Sequence, residues 1–184
     1  MLDGGDLETI AREAGALALA LAHRARARRK GDGSVVTEAD EAVQRLILAR
    51  LRALEPDRGR LAVLAEEEQG GDLAADLARA EQVVAVDPID GTSVYAAGMG
   101  LWAVSLGLLE AGRPRAGVVF LPELGGARGR LYRVDRVGPA SVDGAPLPPL
   151  GPRAPELPEQ IGIPSSYLRS AGLRGFGGKL RSLG

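Results

Sequence analysis

The 184-residue sequence contains no cysteine, a single histidine (His23) and few aromatic residues, which make up 3% of the chain. Without cysteine there can be no disulfide, no thiolate zinc ligand and no cysteine nucleophile, and the redox compartment is left open. One histidine cannot build an imidazole metal site, so any metal ion must be bound by carboxylates, carbonyl oxygens and water. The hydrophobic core must be built mainly from leucine, valine, alanine and isoleucine.

The sequence also lacks an excess of either charge and a long hydrophobic run. Lysine and arginine number 23 against 24 aspartates and glutamates, so no electrostatic argument favours nucleic acid or an anionic membrane. The apolar stretch 14–22 is too short to cross a bilayer, and the acidic segment 1–6 has no signal-peptide character. We therefore expect a cytoplasmic protein with no nucleic acid and no membrane partner. A hydrophobic content of 45% predicts a globular fold with one domain, or one domain and part of another.

Hydrophobic periodicity predicts two helices followed by a mostly antiparallel sheet. Apolar residues on one helical face predict an amphipathic helix over 7–29 with Asp6 as its N-cap, and a second helix over 38–54. Shorter apolar runs predict strands at 61–65, 82–86, 130–134 and 161–163, a short helix at 73–80, and a hairpin formed by 101–109 and 115–121. The fold class is therefore α+β, or a layered arrangement of helices and sheet.

Two segments near the end of the chain give weaker signals. Residues 138–159 are rich in proline and glycine and are predicted to form a loop. Residues 174–184 show no clear helical or strand period. No internal repeat is visible anywhere in the sequence.

The most informative motif is the hexapeptide Asp-Pro-Ile-Asp-Gly-Thr at residues 87–92, which directly follows the apolar run 83–86. The proline disfavours helix at Asp87 and the glycine permits a sharp turn, so Asp87 and Asp90 can both project from one strand end. Mg²⁺ is the usual partner of carboxylates crowded into an all-oxygen site. The alternative is an Asp-Pro turn held by hydrogen bonds from side chain to backbone.

Two further places supply candidate acidic residues. Glu66 and Glu67 follow the predicted strand 61–65, although a solvated charge run explains this pair as well. Asp40 lies three residues after Thr37, a spacing that also fits a helix capping box. A capping role for Asp40 is compatible with a role in a site.

The Gly91-Thr92 pair at the end of the hexapeptide offers a place for phosphate. Backbone N–H groups at the start of a helix can bind an anion. The alternative is that Thr92 is an ordinary N-cap for residues 93–97. Acidic side chains gathered around a phosphate make chemical sense only with metal ions between them. Taken together, the candidates indicate a metal-dependent phosphatase.

With these residues in place, the chain resembles the inositol monophosphatase family of Mg²⁺-dependent, lithium-sensitive phosphatases. The segments that carry the resemblance are spread in order along nearly the whole chain: Val36 to Asp40, Leu64 to Glu67, Asp87 to Thr92, Trp102 to Leu108, Gly117 to Val119 and Ser141 to Leu147. The resemblance implies a sugar-phosphatase-like fold, with a metal-binding phosphatase N-terminal domain over 1–150 and the start of a truncated C-terminal α/β domain over 151–184. We expect a fragment that stops before the family's Trp-Asp motif and lacks most of a second α/β layer.

Position within these motifs implies the metal ligands. Glu66, Asp87 and the carbonyl oxygen of Ile89 correspond to ligands of a first Mg²⁺. Asp87 would bridge to a second ion, which Asp90 also binds. The second site would be incomplete in this chain.

The same correspondence implies catalytic and phosphate-binding residues. Asp40 and Thr92 correspond to the pair that orients or deprotonates the attacking water, and with Glu66 they are the expected catalytic residues. Gly91 and Thr92 would donate backbone N–H groups to the phosphate. Lys30 resembles a basic residue that precedes the Val-Thr element in the family, although a charge at a helix end explains it at least equally well.

The resemblance implies hydrolysis of a small-molecule phosphate monoester by metal-activated water, with no covalent phosphoenzyme. Candidate substrates are inositol phosphate, histidinol phosphate, a sugar bisphosphate such as fructose bisphosphate, and a nucleotide 3′-phosphate. Isoleucine at position 89 favours the inositol-phosphatase branch of the family. Where the family commonly has Thr-Asn-Phe after Gly-Thr, this chain has residues 93–95 Ser-Val-Tyr, a change expected at the mouth of the site. A homodimer is expected at full length.

Two other hypotheses remain open. The chain could be a catalytically incomplete fragment that binds metal or a partner without turnover. It could also be a structural metal-binding domain with no phosphate role. Phosphate release under Mg²⁺, with inhibition by Li⁺, would separate an enzyme from both.

Overall fold

The computed structural model describes residues 1–22, 27–29, 35–55, 60–65, 73–148, 160–163 and 179–182. The chain divides into two compact units, 1–147 and 148–184. The first unit contains, in chain order, α1 (Gly4–Leu21), β1 (Ala27–Arg29), β2 (Val35–Thr37), α2 (Glu38–Leu54), β3 (Leu61–Ala65), α3 (Leu73–Arg79), β4 (Gln82–Asp90), α4 (Thr92–Ala96), β5 (Ala103–Glu110), β6 (Arg113–Leu121), β7 (Arg130–Asp135), β8 (Ser141–Val142) and β9 (Ala145–Pro146). The second unit contains β10 (Gln160–Ile163) and β11 (Lys179–Ser182).

The main sheet has seven strands in the order β3-β4-β5-β6-β7-β8-β9. Strands β3 and β4 run parallel, and every other neighbouring pair is antiparallel. Strands β5 and β6 are joined through Ala111 and Gly112, whose φ angles of 49° and 72° are both positive. Such a two-residue turn matches the natural twist of a hairpin. The predicted hairpin and the largely antiparallel sheet are therefore confirmed.

One face of this sheet is covered by α1 and α2, and the hydrophobic core lies between the two layers. Val84 and Val86 of β4 are buried there, whereas Ala85 between them is half-buried on the opposite face. This alternation follows from the two-residue period of a strand. Two N-terminal helices on a mostly antiparallel sheet form the α+β layered fold that the sequence predicts.

Helix α1 differs from the prediction at both ends. Its N-cap is Asp3, not Asp6: the Asp3 carboxylate accepts hydrogen bonds from the N–H groups of Gly5 and Asp6, while Asp6 completes the capping box. The helix ends at Leu21 rather than at residue 29. The reason is that no further large apolar residue continues its buried face, so burial no longer supports the helix. Residues Ala27–Arg29 instead form β1, which pairs antiparallel with β2.

Helix α2 begins at Glu38 and ends at Leu54, as predicted. Strand β3 also has its predicted bounds, and α3 is one residue shorter than expected. Strand β4 continues to Asp90, four residues beyond the predicted end at Val86. This extension places both aspartates of the hexapeptide within a strand.

The segments predicted as loop or as irregular contain short strands. Within 138–159, β8 and β9 form a hairpin that turns through Asp143 and Gly144, both with positive φ. Strand β10 confirms the predicted strand at 161–163, and it pairs in parallel with β11 inside the segment 174–184. No helix in the described part of the chain is long and apolar enough to cross a bilayer.

Candidate active site

The two aspartates of the hexapeptide lie on one face of the sheet because β4 contains a bulge. Asp87 pairs with Ser105, and Asp90 pairs with Ala103, so three steps along β4 correspond to two steps along β5. Directly paired residues of antiparallel strands point to the same face, and residues 103 and 105 share a face. The inserted residue thus brings Asp87 and Asp90 to the same side. A regular strand would send them to opposite sides.

Proline and isoleucine occupy the bulge between the two aspartates. Pro88 and Ile89 are both buried, which interrupts the alternation seen in the rest of β4. Proline cannot donate to a ladder of hydrogen bonds, and bulges are among the few places where a sheet accepts it. The carbonyl oxygen of Ile89 accepts a hydrogen bond from the Thr92 hydroxyl at 3.0 Å. The bulge therefore also determines where the next turn and helix begin.

Gly91 connects the end of β4 to α4. Its φ of 93° is left-handed, and a Cβ built on it would lie 3.3 Å from the carbonyl oxygen of Leu101. Both features favour glycine at this position. Gly91 is the N-cap of α4, so Thr92 is the first residue of the helix and not its cap. The first amide bonded within this turn is that of Val94, and the amides of a first helical turn normally point outward without helical partners.

The Thr92 side chain reaches Asp40, 52 positions earlier in the chain. Its hydroxyl oxygen lies 3.0 Å from Oδ1 of Asp40, and its single hydrogen is shared between this carboxylate and the Ile89 carbonyl. Asp40 is only 2% exposed. A buried carboxylate requires donors, and hydrogen bonds to a charged acceptor are stronger than those between neutral groups. The structure therefore brings together Asp40 and Thr92, the two residues expected to orient or deprotonate the attacking water.

Asp40 also belongs to a capping box at the start of α2. The N–H and the hydroxyl of Thr37 donate to Oδ2 of Asp40 at 2.8 and 2.6 Å. The Thr37 hydroxyl accepts in turn from the amides of Ala39 and Asp40. The capping box suggested by the sequence is thus present, and it holds the same carboxylate that contacts Thr92.

Tyr95 anchors α4 beneath the site. Its ring meets that of Trp102 edge to face with centroids 5.0 Å apart, and its hydroxyl donates to a backbone carbonyl of α1. Burial raises the pKa of Tyr95 to about 12, and the negative charges of Asp40 and Glu123 add to the effect. The sequence predicts residues 93–95 at the mouth of the site. The structure corrects this for Tyr95, which is 2% exposed, while Ser93 is exposed.

Three of the predicted residues lie outside the part of the chain that the structure describes: Glu66, Glu67 and Lys30. Within the described part of the chain, no three histidine, aspartate or glutamate residues lie close enough to hold a metal ion. The predicted ligand set, which includes Glu66, therefore stays a prediction.

A largely antiparallel sheet carries two helices on one face, and a bulge flanked by two aspartates leads into a helix start at Gly91 and Thr92. The inositol monophosphatase family matches residues 6–174. The chain belongs to the inositol monophosphatase family. Curated relatives and solved structures agree with this assignment.

Three relatives illustrate the agreement. Inositol-1-monophosphatase ImpA of Mycolicibacterium smegmatis is 40% identical over 152 residues, which is 82% of this chain and 50% of that protein. The 3′(2′),5′-bisphosphate nucleotidase CysQ of Salmonella typhimurium is 38% identical over 96 residues, which is 52% of this chain and 37% of that protein. The crystal structure of inositol monophosphatase II from Staphylococcus aureus has a TM-score of 0.75 at 25% identity, covering 98% of this chain and 66% of that one. The chain spans about half the length of the ImpA relative.

Proposed function

We propose that this chain carries the water-activating half of a site that hydrolyses small-molecule phosphate monoesters. The observation that supports this most strongly is the hydrogen bond between the Thr92 hydroxyl and the buried Asp40 carboxylate. That bond joins two helix starts that are remote in sequence, beside a bulge that brings Asp87 and Asp90 to one face. Family membership and the names of the relatives point to the same reaction class.

The proposed metal is Mg²⁺. The described donors are all hard oxygen atoms: the carboxylates of Asp87 and Asp90 and the carbonyl of Ile89, which lie within four residues of one another. This chemistry fits Mg²⁺ and excludes metals that prefer sulfur or imidazole. Glu66 is proposed as the further carboxylate ligand. When bound, Mg²⁺ would acidify the attacking water and offset charge on the phosphoryl oxygens.

The residues of the chain itself have distinct proposed roles. Asp40, whose carboxyl group is fixed by Thr37, accepts the Thr92 hydroxyl hydrogen. The Thr92 oxygen is then able to accept a hydrogen from the attacking water. A proton lost from the water can pass through this pair, since both oxygens are already in hydrogen-bond contact. The backbone N–H groups of Gly91 and Thr92 are proposed to donate to the phosphate oxygens.

The substrate is proposed as a small phosphate monoester. One matching relative is named as an inositol-1-monophosphatase and another as a bisphosphate nucleotidase, so inositol phosphate and a nucleotide 3′-phosphate are the first candidates. Histidinol phosphate and fructose bisphosphate complete the set expected from the sequence. A homodimer of the full-length protein, a cytoplasmic location and domain bounds at 1–150 and 151–184 remain predictions.

A second candidate function is metal or partner binding without turnover. The observation that favours it is the bulge in β4, because two aspartates on one side of the sheet are what metal binding alone would also require.

The decisive experiment is a phosphate-release panel with the purified chain. Inositol 1-phosphate, histidinol phosphate, fructose bisphosphate and a nucleoside 3′-phosphate are each incubated with Mg²⁺, with and without Li⁺, while calorimetry measures Mg²⁺ binding. Mg²⁺-dependent release that Li⁺ inhibits is the expected result. Mg²⁺ binding without release from any ester would favour the non-catalytic function, and neither binding nor release would overturn both.

A further inference from the structure

The capping box at the start of α2 divides the two oxygens of Asp40 between two tasks. Oδ2 accepts from the Thr37 N–H at 2.8 Å and from the Thr37 hydroxyl at 2.6 Å. Oδ1 accepts from the Thr92 hydroxyl at 3.0 Å. Local helix capping and the proposed catalytic contact therefore use opposite ends of one carboxylate.

This division matters because an aspartate side chain can rotate, and rotation of Asp40 would move Oδ1 away from Thr92. Two donors on Oδ2 fix the carboxylate plane and so fix the direction in which Oδ1 points. Thr37 and Asp40 are 0% and 2% exposed, so water does not compete for these bonds. A displacement of about 1 Å in such a group is enough to cost on the order of 10²-fold in rate.

The chain contains a second capping box that shows what capping alone requires. At the start of α1, Asp3 accepts from the amides of Gly5 and Asp6, and Asp6 accepts from the Asp3 N–H at 2.9 Å. The ionised Asp3 carboxylate has no hydrogen to give, so it cannot donate to Asp6. The bond from the Thr37 hydroxyl to Asp40 is therefore an addition to capping.

We propose that Thr37 is a positioning residue of the phosphatase site, which holds Asp40 through its hydroxyl so that Oδ1 stays directed at Thr92. The inference rests on the proposed function for its catalytic consequence. Thr37 itself contacts neither substrate nor metal ligands in this scheme. Its effect on catalysis passes entirely through the Asp40 carboxylate.

The test compares three variants of the full chain. Thr37→Val removes the hydroxyl at nearly constant shape, and Thr37→Ser keeps it. Asp3→Ala removes the N-cap of α1, whose carboxylate accepts from the amides of Gly5 and Asp6 and not from Thr37 or Thr92. We expect Thr37→Val to lower kcat by about 10–100-fold with KM within about twofold. Thr37→Ser should recover most of kcat, and Asp3→Ala should leave both constants unchanged. A Thr37→Val enzyme with the kcat of the wild type would overturn the proposal.

An NMR measurement separates failure of this inference from failure of the proposed function. In the wild-type chain, the hydroxyl protons of Thr37 and Thr92 should exchange slowly with water, and three-bond couplings should show one χ1 rotamer for Asp40. In Thr37→Val the Asp40 rotamer should become averaged. If the wild type releases no phosphate, the proposed function fails while these signals still decide the positioning role. Fast exchange of the Thr37 hydroxyl in the wild type refutes that role even if Thr37→Val does not fold.

Discussion

The hydroxyl of Tyr95 donates a 2.7 Å hydrogen bond to the carbonyl oxygen of Ala18. Ala18 lies in the last turn of α1, where carbonyls have no following helical amide, and the Ala22 amide bonds to Leu19 instead. The bond therefore caps the end of one helix from the helix that carries Thr92. It links the stability of α1 to the position of the site.

Replacing Tyr95 by phenylalanine tests this link. The ring contact with Trp102 is kept, but the buried Ala18 carbonyl loses its donor, so the free energy of unfolding should fall by about 1–2 kcal/mol. Urea denaturation measures the change. Tyr132→Phe, at a half-buried position of β7, is the control and should change stability by less than about 0.5 kcal/mol. Equal stability of Tyr95→Phe and wild type would show that the bond contributes nothing.

Alkaline pH should destabilise the protein through the same side chain. Burial raises the pKa of Tyr95 from 10.0 to about 12, so the folded state holds this proton more tightly than the unfolded state. Its contribution is complete below pH 10 and is lost as pH rises towards 12, by about 3 kcal/mol at about 1.4 kcal/mol per pKa unit. Denaturation at pH 9, 10 and 11 measures the slope. The slope should be smaller in Tyr95→Phe, and an equal slope would assign the loss to other groups.

Close packing of α1 on the sheet predicts that Gly15→Ala is destabilising. The new Cβ would lie 2.6 Å from the Phe120 ring and 2.8 Å from Pro122, so the helix or these two side chains must shift. Alanine is the better helix former, but the overpacking should outweigh this and lower stability by about 1–3 kcal/mol. Gly107→Ala is the control, because its Cβ would meet the nearest atom, on Ala85, at an ordinary 3.8 Å. Thermal unfolding of the two variants compares them directly, and a Gly15→Ala variant as stable as wild type would contradict the packing argument.

Asp87→Asn should abolish most of the proposed activity. The change removes one negative charge from the proposed metal site while keeping the side-chain shape, and we expect a loss on the order of 10³-fold in phosphate release. Mg²⁺ affinity, measured by calorimetry, should fall in parallel. Asp76→Asn on α3, an exposed residue paired with Arg79, is the control and should change neither quantity. Near-normal Mg²⁺-dependent turnover in Asp87→Asn would refute the assignment of Asp87.

The sequence predicts α2 better than α1 for a physical reason. Helix α2 has one threonine cap at its start and a Glu-Pro pair at its end, so both limits are marked locally. At α1, Asp3 and Asp6 have the spacing of a capping box, and either residue fits the N-cap until the backbone is known. The far end of α1 depends on burial against the sheet, which a helical period alone does not show.

The site shows the same contrast between local and distant information. The capping box of Thr37 and Asp40 is local and could be identified from spacing. The bond from Asp40 to Thr92 joins residues 52 positions apart, and only the resemblance to a family linked them in the sequence. The sequence does not predict the burial of Tyr95, because its environment is provided by α1 and Trp102. The hydrogen bond from the buried Tyr95 hydroxyl to the end of α1 cannot be predicted from the local sequence pattern.

The bulge in β4 has a consequence for how such sites can be found and altered. Odd spacing between two acidic residues ordinarily means opposite sides of a strand, and a search based on simple alternation would discard this pair. Here one extra residue brings both side chains back to one side of the strand. Their common side therefore depends on the bulge and on the number of residues between them, and not on the identity of Pro88 or Ile89. Straightening the strand while keeping both residues between the two acids would turn Asp90 away from Asp87 without removing either acid.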